Sequence, residues 1–328
     1  MQFLNNMDKD NLKLLLNCIT KKHIYIQPHN YPDPDALASA KGLQVLLAYF
    51  GITSTICFSG HIDKQNTLKM IDILNIEIHP VETLSLREED EIILVDCQKG
   101  NNNVEDFIGN EIACIDHHKT QTTDCYRFFD IRQVGACATL IASYFLENDL
   151  PINTELATTL LYGIKMDTEN LTRGVSNMDV DIFSYLYKRA NHDILTQLNA
   201  NQLTLQDLET FVHGFENLWV EERIGFAHLG DNLSDAILGT LADFLLTLNE
   251  IDFIVTFSFR AEGIKLSTRT ALEKYNCAHI IKHALNGYGS GGGHAHMAAG
   301  FVPVCKEECA AVAAQLQHRF VEEIMGLQ

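Results

Sequence analysis

Acids and imidazoles gather at the ends of three apolar runs in the first part of the chain. His23-Ile24-Tyr25-Ile26-Gln27-Pro28 leads to His29, Asp33 and Asp35. Glu91-Ile92-Ile93-Leu94-Val95 leads to Asp96, and Glu111-Ile112-Ala113-Cys114-Ile115 leads to Asp116, His117 and His118. Each run reads as a buried strand. In an open α/β sheet, ligands bind outside the carboxyl ends of the strands. Three such ends carrying only carboxylates and imidazoles describe a metal site, since hard divalent ions take oxygen and imidazole suits transition metals. The expected chemistry is that of a metallohydrolase, in its sharpest form one with two ions.

The segment after the first run, His29-Asn30-Tyr31-Pro32-Asp33-Pro34-Asp35, reads as a strand-to-helix loop. Its prolines favour an extended path, along which residues two apart face the same way, so Asp33 and Asp35 can converge. Capping of the following helix by Asp35 is the plainer use of that residue. Asp96 closes a buried strand and needs a partner there, a turn donor or a cation. His117 and His118 are neighbours and face opposite ways along a strand. One ring can ligate while the other reaches toward substrate, and Asp116 can orient a ring. Gly163-Ile164-Lys165-Met166-Asp167-Thr168 sets one more acid near the end of an apolar helix.

A second signal lies far along the chain, at Gly289-Ser290-Gly291-Gly292-Gly293-His294-Ala295-His296-Met297-Ala298-Ala299-Gly300. Glycines let successive backbone N–H groups turn toward one anion, so the run reads as an anion nest. The apolar stretch Met297 to Val304 follows directly, which implies a packed loop and not a flexible linker. Arg260 and Arg269, in or beside a hairpin, are candidate guanidinium contacts to phosphate.

The elements that must position these residues alternate. Strand 23–27 precedes a helix beginning near Asp35, then a strand over 52–58 and a helix over 64–74. Strands 91–95 and 111–115 follow, then helices over 136–147 and 154–165. This alternation implies a mainly parallel sheet covered on both faces. Residues 175–216 are helical and polar. Beyond them strands are expected over 218–220, 224–229, 253–260 and 264–268, with helices near 233–248, 276–285 and 306–324. The layout is a domain over 1–190, a helical linker over 191–215 and a smaller α+β domain over 216–328.

A chain of 328 residues suits two domains, and 46% hydrophobic with 20% charged residues suits a soluble globular protein. No apolar run is long enough to span a membrane. Met1 to Asn17 is amphipathic, with acids at Asp8 and Asp10, and lacks the charge pattern of a signal peptide. Nine cysteines without a CxxC pair fit reduced thiols and a cytoplasmic location. A net charge of −19 disfavours capture of long nucleic acid, which relies on many Lys and Arg contacts, and leaves short phosphorylated substrates open. The sequence is compatible with a homodimer.

Taken in order, His29-x3-Asp33-x-Asp35, Val95-Asp96, Asp116-His117-His118 and Met166-Asp167-Thr168 resemble the four motifs of the DHH phosphoesterase superfamily. The GGGHxxAAG segment at 291–300 resembles the signature of its associated C-terminal domain, the DHHA1 type. Length and layout look most like the nanoRNase/pAp phosphatase group. The resemblance implies an active site in the cleft between the domains. It implies two Mn²⁺ ions held by His29, Asp33, Asp35, Asp96, His117 and Asp167, with Asp35 and Asp96 bridging. It also implies that His118 meets the scissile phosphate, with Asp96 and Asp116 in the catalytic set. Gly292, Gly293 and His294 would hold the substrate's other end, supported by Arg269. The substrate so implied is a short oligonucleotide or pAp. A cyclic or linear dinucleotide phosphodiesterase, a RecJ-like single-strand exonuclease and a nucleotide sensor are the alternatives. One departure concerns the first loop, Pro-Asp-Pro-Asp-Ala-Leu-Ala-Ser, where many relatives have a glycine before the final Asp or after the Ala-Leu pair. The ligand spacing is intact.

Overall fold

The structure is a computed structural model that describes residues 10–62, 64–101, 103–120, 123–200 and 203–326. The expectation for the N-terminal segment therefore lies partly outside the described residues. The chain divides into two compact units, 1–202 and 203–328.

The first unit opens with α1 (Asp10–Cys18), β1 (His23–Gln27), α2 (Pro34–Ala48), β2 (Thr53–Phe58), α3 (Gln65–Ile73) and the two-residue β3 (His79–Pro80). It continues with β4 (Glu91–Val95), β5 (Asn110–Asp116), β6 (Phe128–Ile131), α4 (Cys137–Glu147), α5 (Thr154–Asp167), α6 (Asn177–Tyr187) and α7 (His192–Asn199). The strands form one parallel sheet in the order β3-β2-β1-β4-β5-β6. β3 and β6 lie outside the expected strands; they are short and edge-placed, and neither carries a long apolar run. The order reverses direction between β1 and β4, which is the topological switch point where a doubly wound sheet opens a crevice at its carboxyl edge. His29 follows β1, Asp96 follows β4, and Asp116 ends β5.

Strand alternation divides the sheet residues, save at Ile112, which joins the same core as Ala113 where the β4–β5 register shifts. Ile24, Ile26, Ile56, Ile93, Val95 and Ile115 join the main core with the helices. Tyr25, Cys57, Ile92, Leu94 and Cys114 face a smaller core closed by Val81, Leu84, Leu86, Val104 and Phe107. That second face is covered by connecting segments, because β4 and β5 are joined by a loop and not by a helix. Both faces are thus covered, as the alternation implies, one by helices and the other by connecting segments.

α2 is buried over most of its length, and small residues make that feasible. A Cβ on Gly42 would stand 2.6 Å from Ile141 Cγ2, and one on Gly163 of α5 would stand 2.6 Å from the Cβ of Ala38. Close helix packing here fixes the end of α5, and with it Asp167, against the start of α2.

The second unit contains α8 (Leu205–Glu216), β7 (Leu218–Glu221), β8 (Ile224–Asp231), α9 (Asp235–Leu245), β9 (Phe253–Arg260), β10 (Gly263–Thr270), α10 (Cys277–Ala284), β11 (Ser290–Gly293), β12 (Met297–Pro303) and α11 (Cys309–Met325). Its sheet runs β11-β12-β10-β9-β8-β7, with β8 and β9 parallel and the other pairs antiparallel. One core lies between the sheet and α10 and α11, another between the sheet and α8 and α9. The division at 202/203 falls inside the segment read as a linker: α7 belongs to the first unit and α8 to the second. No helix among the described residues is long and apolar enough to cross a membrane. All nine cysteines are free.

Candidate metal centre

The loop after β1 is fixed before its side chains act. Asn30 N–H donates to Asn103 O at 2.7 Å, and Tyr31 N–H to Ser59 O at 3.1 Å. Pro34 opens α2, where the missing N–H costs nothing. The cap is Asp33 and not Asp35: its Oδ1 accepts from the N–H groups of Asp35 at 3.0 Å and Ala36 at 3.1 Å. Asp35 is buried and serves another helix. Its Oδ2 accepts from Cys137 N–H at 2.7 Å and its Oδ1 from Ala138 N–H at 3.0 Å, both at the start of α4.

The motif residues fall into three groups whose ligand atoms lie within 4.8 Å of one another. One is His29, Asp33 and Asp96; another is Asp35, His117 and Asp167; the third is Asp96, Asp116, His117 and His118. Asp96 is shared by the first and third groups, and its Oδ1 is 3.2 Å from Nε2 of His117 in the second. Asp35, expected to bridge alongside Asp96, appears in one group only.

Ring orientation follows from simple hydrogen-bond logic. His29 Nδ1 is 2.8 Å from Asn30 O, and His117 Nδ1 is 3.0 Å from Val134 O. A carbonyl oxygen only accepts, so each Nδ1 carries hydrogen. In the neutral rings, Nε2 therefore offers a lone pair to the site. His29 Nε2 lies 3.7 Å from Asp96 Oδ2 and 3.9 Å from Asp33 Oδ1. His117 Nε2 lies 3.2 Å from Asp96 Oδ1 and 3.3 Å from Asp167 Oδ2. His118 differs: its Nδ1 donates to Asp116 Oδ1 at 2.8 Å.

Asp96 Oδ1 is buried and has no hydrogen-bond partner. A buried carboxylate oxygen facing an imidazole lone pair is repulsive unless a proton or a cation sits with them. Two imidazole nitrogens and four carboxylates suit a pair of divalent ions in both donor type and number. The orphaned oxygen and this donor set fit a metal centre.

The titration behaviour is that of a charge cluster. Burial disfavours the charged form of His29, but Asp33 and the charge of Asp96 outweigh it and raise the ring to about 9. Burial acts likewise on His117, and Asp96, Asp167 and Asp35 raise it well above the ordinary value. Burial and the charges of Asp96 and Asp167 push Asp35 well above the usual carboxylate range. Asp167 rises to about 6, mainly through burial, with Asp33 and Asp96 adding to the shift against His117 and Arg173. Burial would raise Asp116 too, but His118 and Gln98 hold it down at about 2. His118 is raised, the bond to Asp116 overcoming burial.

Several positioning groups carry no signal in the motifs. Gln98 is fully buried and donates to Asp116 Oδ2 at 2.6 Å. The carbonyls of Asn30 and Val134 set two ring orientations, yet a backbone group leaves no mark on sequence. Asp179 accepts from Gly135 N–H at 2.7 Å, Thr139 Oγ1 at 2.6 Å, and Ser176 N–H and Oγ. It thereby pins the segment carrying Val134. Its Ser176-x-x-Asp179 spacing is a capping-box pattern that sequence reading can find.

In the second unit, the glycine run departs from expectation. Ser290 to Gly293 is an extended edge strand paired with β12 and not a loop forming an anion nest. Pairing with Ala298 to Phe301 fixes it, and Gly291 and Gly300 stand opposite each other where α10 packs closely. His294 begins the turn, its N–H donating to Met297 O at 2.7 Å. Arg269 pairs in register with Met297, so it lies beside that turn. Its guanidinium is engaged by Asp243 at 2.7 Å, Ser267 Oγ at 2.9 Å and Thr268 O at 2.9 Å. Arg260 sits at the far end of the β9–β10 hairpin, bonded to Leu233 O and Asp235, which separates it from Arg269 and the glycine hairpin.

Comparison with known proteins agrees with this architecture. The DHH family N-terminal domain matches residues 23–164, and the DHHA1 domain matches residues 221–323. An uncharacterized protein of Methanocaldococcus jannaschii is 30% identical over 286 residues, covering 87% of this chain and 59% of that protein. A probable manganese-dependent inorganic pyrophosphatase of Lactiplantibacillus plantarum is 28% identical over 172 residues, covering 51% of this chain and 55% of that protein. The chain thus spans little more than half the length of these relatives. The crystal structure of an exopolyphosphatase-related protein from Bacteroides fragilis superposes with a TM-score of 0.79 at 18% identity, covering 98% of this chain and 99% of that one. At that identity the likeness is one of fold. Two domain matches in the expected order, each over its own compact unit, place the chain in the DHH superfamily, with a DHHA1 domain following the DHH domain.

Proposed function

We propose that this chain is a phosphoesterase that holds two Mn²⁺ ions and cleaves short phosphorylated nucleotides, namely oligoribonucleotides of a few units and nucleoside 3′,5′-bisphosphates such as pAp. The observation that carries the reading is the buried, unpartnered Oδ1 of Asp96 at 3.2 Å from His117 Nε2, amid a set of nitrogen and carboxylate donors. His29, Asp33 and Asp96 would hold one ion; Asp35, His117, Asp167 and Asp96 the other. Bound there, a pair of divalent ions supplies Lewis-acid neutralisation of phosphate oxygens and activation of water.

The remaining chemistry belongs to the chain. Asp116 fixes the His118 ring through Nδ1 and favours its charged form, in which the second proton sits on Nε2. A proton held there can stabilise charge developing on phosphate or pass to the leaving oxygen. Gln98 keeps Asp116 from turning, and Asp116 stays ionised because its pKa is about 2. In the second domain the edge strand at Gly292 and Gly293, with His294 and Arg269 beside it, is the candidate anchor for the rest of the substrate. Gly292 has open space where a side chain would stand. The net charge of −19 favours small substrates over long duplexes.

The test is product release with Mn²⁺ from pAp, a diribonucleotide, a cyclic dinucleotide and pyrophosphate, with Asp96→Ala as the control. The reading expects turnover of pAp or the diribonucleotide that vanishes in the variant. Turnover of neither, or an unchanged rate in D96A, removes it.

A further inference from the structure

The geometry points to Tyr31 as a stacking platform for the nucleobase of the substrate, a base-recognition element built into the metal-binding loop itself. The inference rests on the nucleotide reading above. Tyr31 lies two residues from His29 and two from Asp33. It is 57% exposed, so burial does not explain a large aromatic at this position. Its backbone adopts φ +56°, a conformation in which a bulky side chain is rare and costly. Its hydroxyl has no hydrogen-bond partner among the described residues, so the polar end does not explain it either.

Three features hold the ring in place. Tyr31 N–H is tied to Ser59 O at 3.1 Å at the end of β2. The ring packs on Gly60, where a Cβ would stand 2.7 Å from Tyr31 Cε1 and 2.8 Å from Cδ1, so no side chain fits there without displacing it. Gly60 itself has φ +89°, which suits glycine. The His61 ring meets Tyr31 edge-on, with centroids 5.0 Å apart and planes at 86°. A strained backbone, a side-chain-free seat and an edge-on neighbour thus keep an aromatic surface open to water at the carboxyl edge of β1 and β2. That edge carries the metal-binding loop. Aromatic rings at such a rim bind bases through stacking, which tolerates any base because every base has a π-face. A bare phosphate or pyrophosphate would gain nothing from it.

The experiment compares wild type, Tyr31→Asn and Tyr31→Phe in the full chain with Mn²⁺. Asparagine removes the ring yet tolerates the left-handed backbone. Substrates are adenosine 3′,5′-bisphosphate and its abasic counterpart with the same two phosphates, together with diadenylate and pyrophosphate. Bound Mn²⁺ is counted in each protein as a check on the site. The expected result in Y31N is a rise in KM of about 5- to 150-fold for the nucleotides, the range of one base–aromatic stack, with kcat little changed. KM for the abasic compound stays at its wild-type value, Y31F restores wild-type behaviour, and metal content is unaltered. An unchanged nucleotide KM in Y31N, an equal loss on the abasic compound, or failure of Y31F to restore binding overturns the stack while leaving the phosphoesterase reading intact. A wild-type protein that cleaves pyrophosphate and neither nucleotide removes the functional reading and the stack with it.

Discussion

Replacing Asp96 by asparagine separates the metal role of this residue from any structural one. The side chain keeps its size and loses its charge. In the metal-free protein the change should cost little, because Asp96 Oδ1 has no hydrogen bond to forfeit and Oδ2 stands 3.7 Å from His29. Ordinary removal of a bonded buried acceptor costs about 1–3 kcal/mol, and that term is missing for Oδ1. The Asp96 charge attracts the raised rings of His29 and His117 and repels Asp35 and Asp167, so its removal loses the one and relieves the other. With metal the balance reverses. An ion present at a hundred times its dissociation constant stabilises the fold by about 2.7 kcal/mol, so two such ions contribute about 5 kcal/mol. Asp96 lies among the donors of both proposed ions, so its replacement should weaken both.

The assay is Mn²⁺ titration calorimetry together with denaturant unfolding, each with and without the ion. Wild type is expected to bind two equivalents and gain stability on binding. D96N is expected to match wild type within about 1 kcal/mol without metal, and to lose most of the gain with it. A D96N protein that still takes two equivalents at wild-type affinity would refute the shared-ligand argument. One that is strongly destabilised without metal would show that Asp96 holds the fold through contacts other than those described.

Three further outcomes are expected. Asp116→Asn should retain both ions while turnover falls about 10- to 100-fold, since the residue orients His118 without entering the His29 or Asp35 group; loss of Mn²⁺ binding by calorimetry would contradict this. Gly163→Ala should destabilise the first unit by about 1–3 kcal/mol in urea unfolding and weaken metal binding, because the added Cβ meets Ala38 Cβ at 2.6 Å and Asp35 Oδ1 at 3.1 Å. An unchanged urea midpoint would show that the helices part at no cost. Glu91 should contribute to acid stability: burial opposes its ionisation, but Thr20, the Lys21 N–H and Arg127 hold its pKa below the ordinary value. Its contribution is complete above the unfolded glutamate pKa and fades as pH falls through the lower folded value, so Glu91→Gln should flatten the pH dependence of urea stability in that window, and an unchanged slope would exclude it.

The centre is legible because chemistry interrupts pattern. β4 is apolar from Ile92 through Val95 and then gives way to an acid at Asp96, and no packing rule asks for a carboxylate there. The same abruptness marks β5 at Asp116. What stays hidden is carried by backbone or by context. Asp33 and Asp35 look interchangeable as caps two residues apart, and only the fold brings the start of α4 onto Asp35. The carbonyls that turn His29 and His117 have no side-chain signature. Gln98 reads as one more polar loop residue until Asp116 is seen against it. The glycine run misleads because glycine permits a nest without requiring one; here strand pairing with β12 and close approach to α10 use the same absence of a side chain. β3 and β6 are too short to raise a periodic signal.

The position of Asp96 shows why this site needs aspartate and not merely an acid. Val95 belongs to the helix-side core and Leu94 to the opposite one, so strict alternation would return residue 96 to the face of Leu94. The backbone instead takes φ +59° at Asp96, while its N–H still donates to Ile115 O of the neighbouring strand. Pairing with β5 therefore persists where alternation ends, and the carboxylate is set among candidate ligands that follow two different strands. Aspartate and asparagine are the residues besides glycine that visit this left-handed region most readily. Glycine would keep the backbone and lose the carboxylate, and asparagine would keep both shape and backbone and lose the charge. A glutamate would carry the charge one bond farther from a backbone it fits less well. At the one point where the strand order reverses, between β1 and β4, the conformational demand and the chemical demand select the same residue.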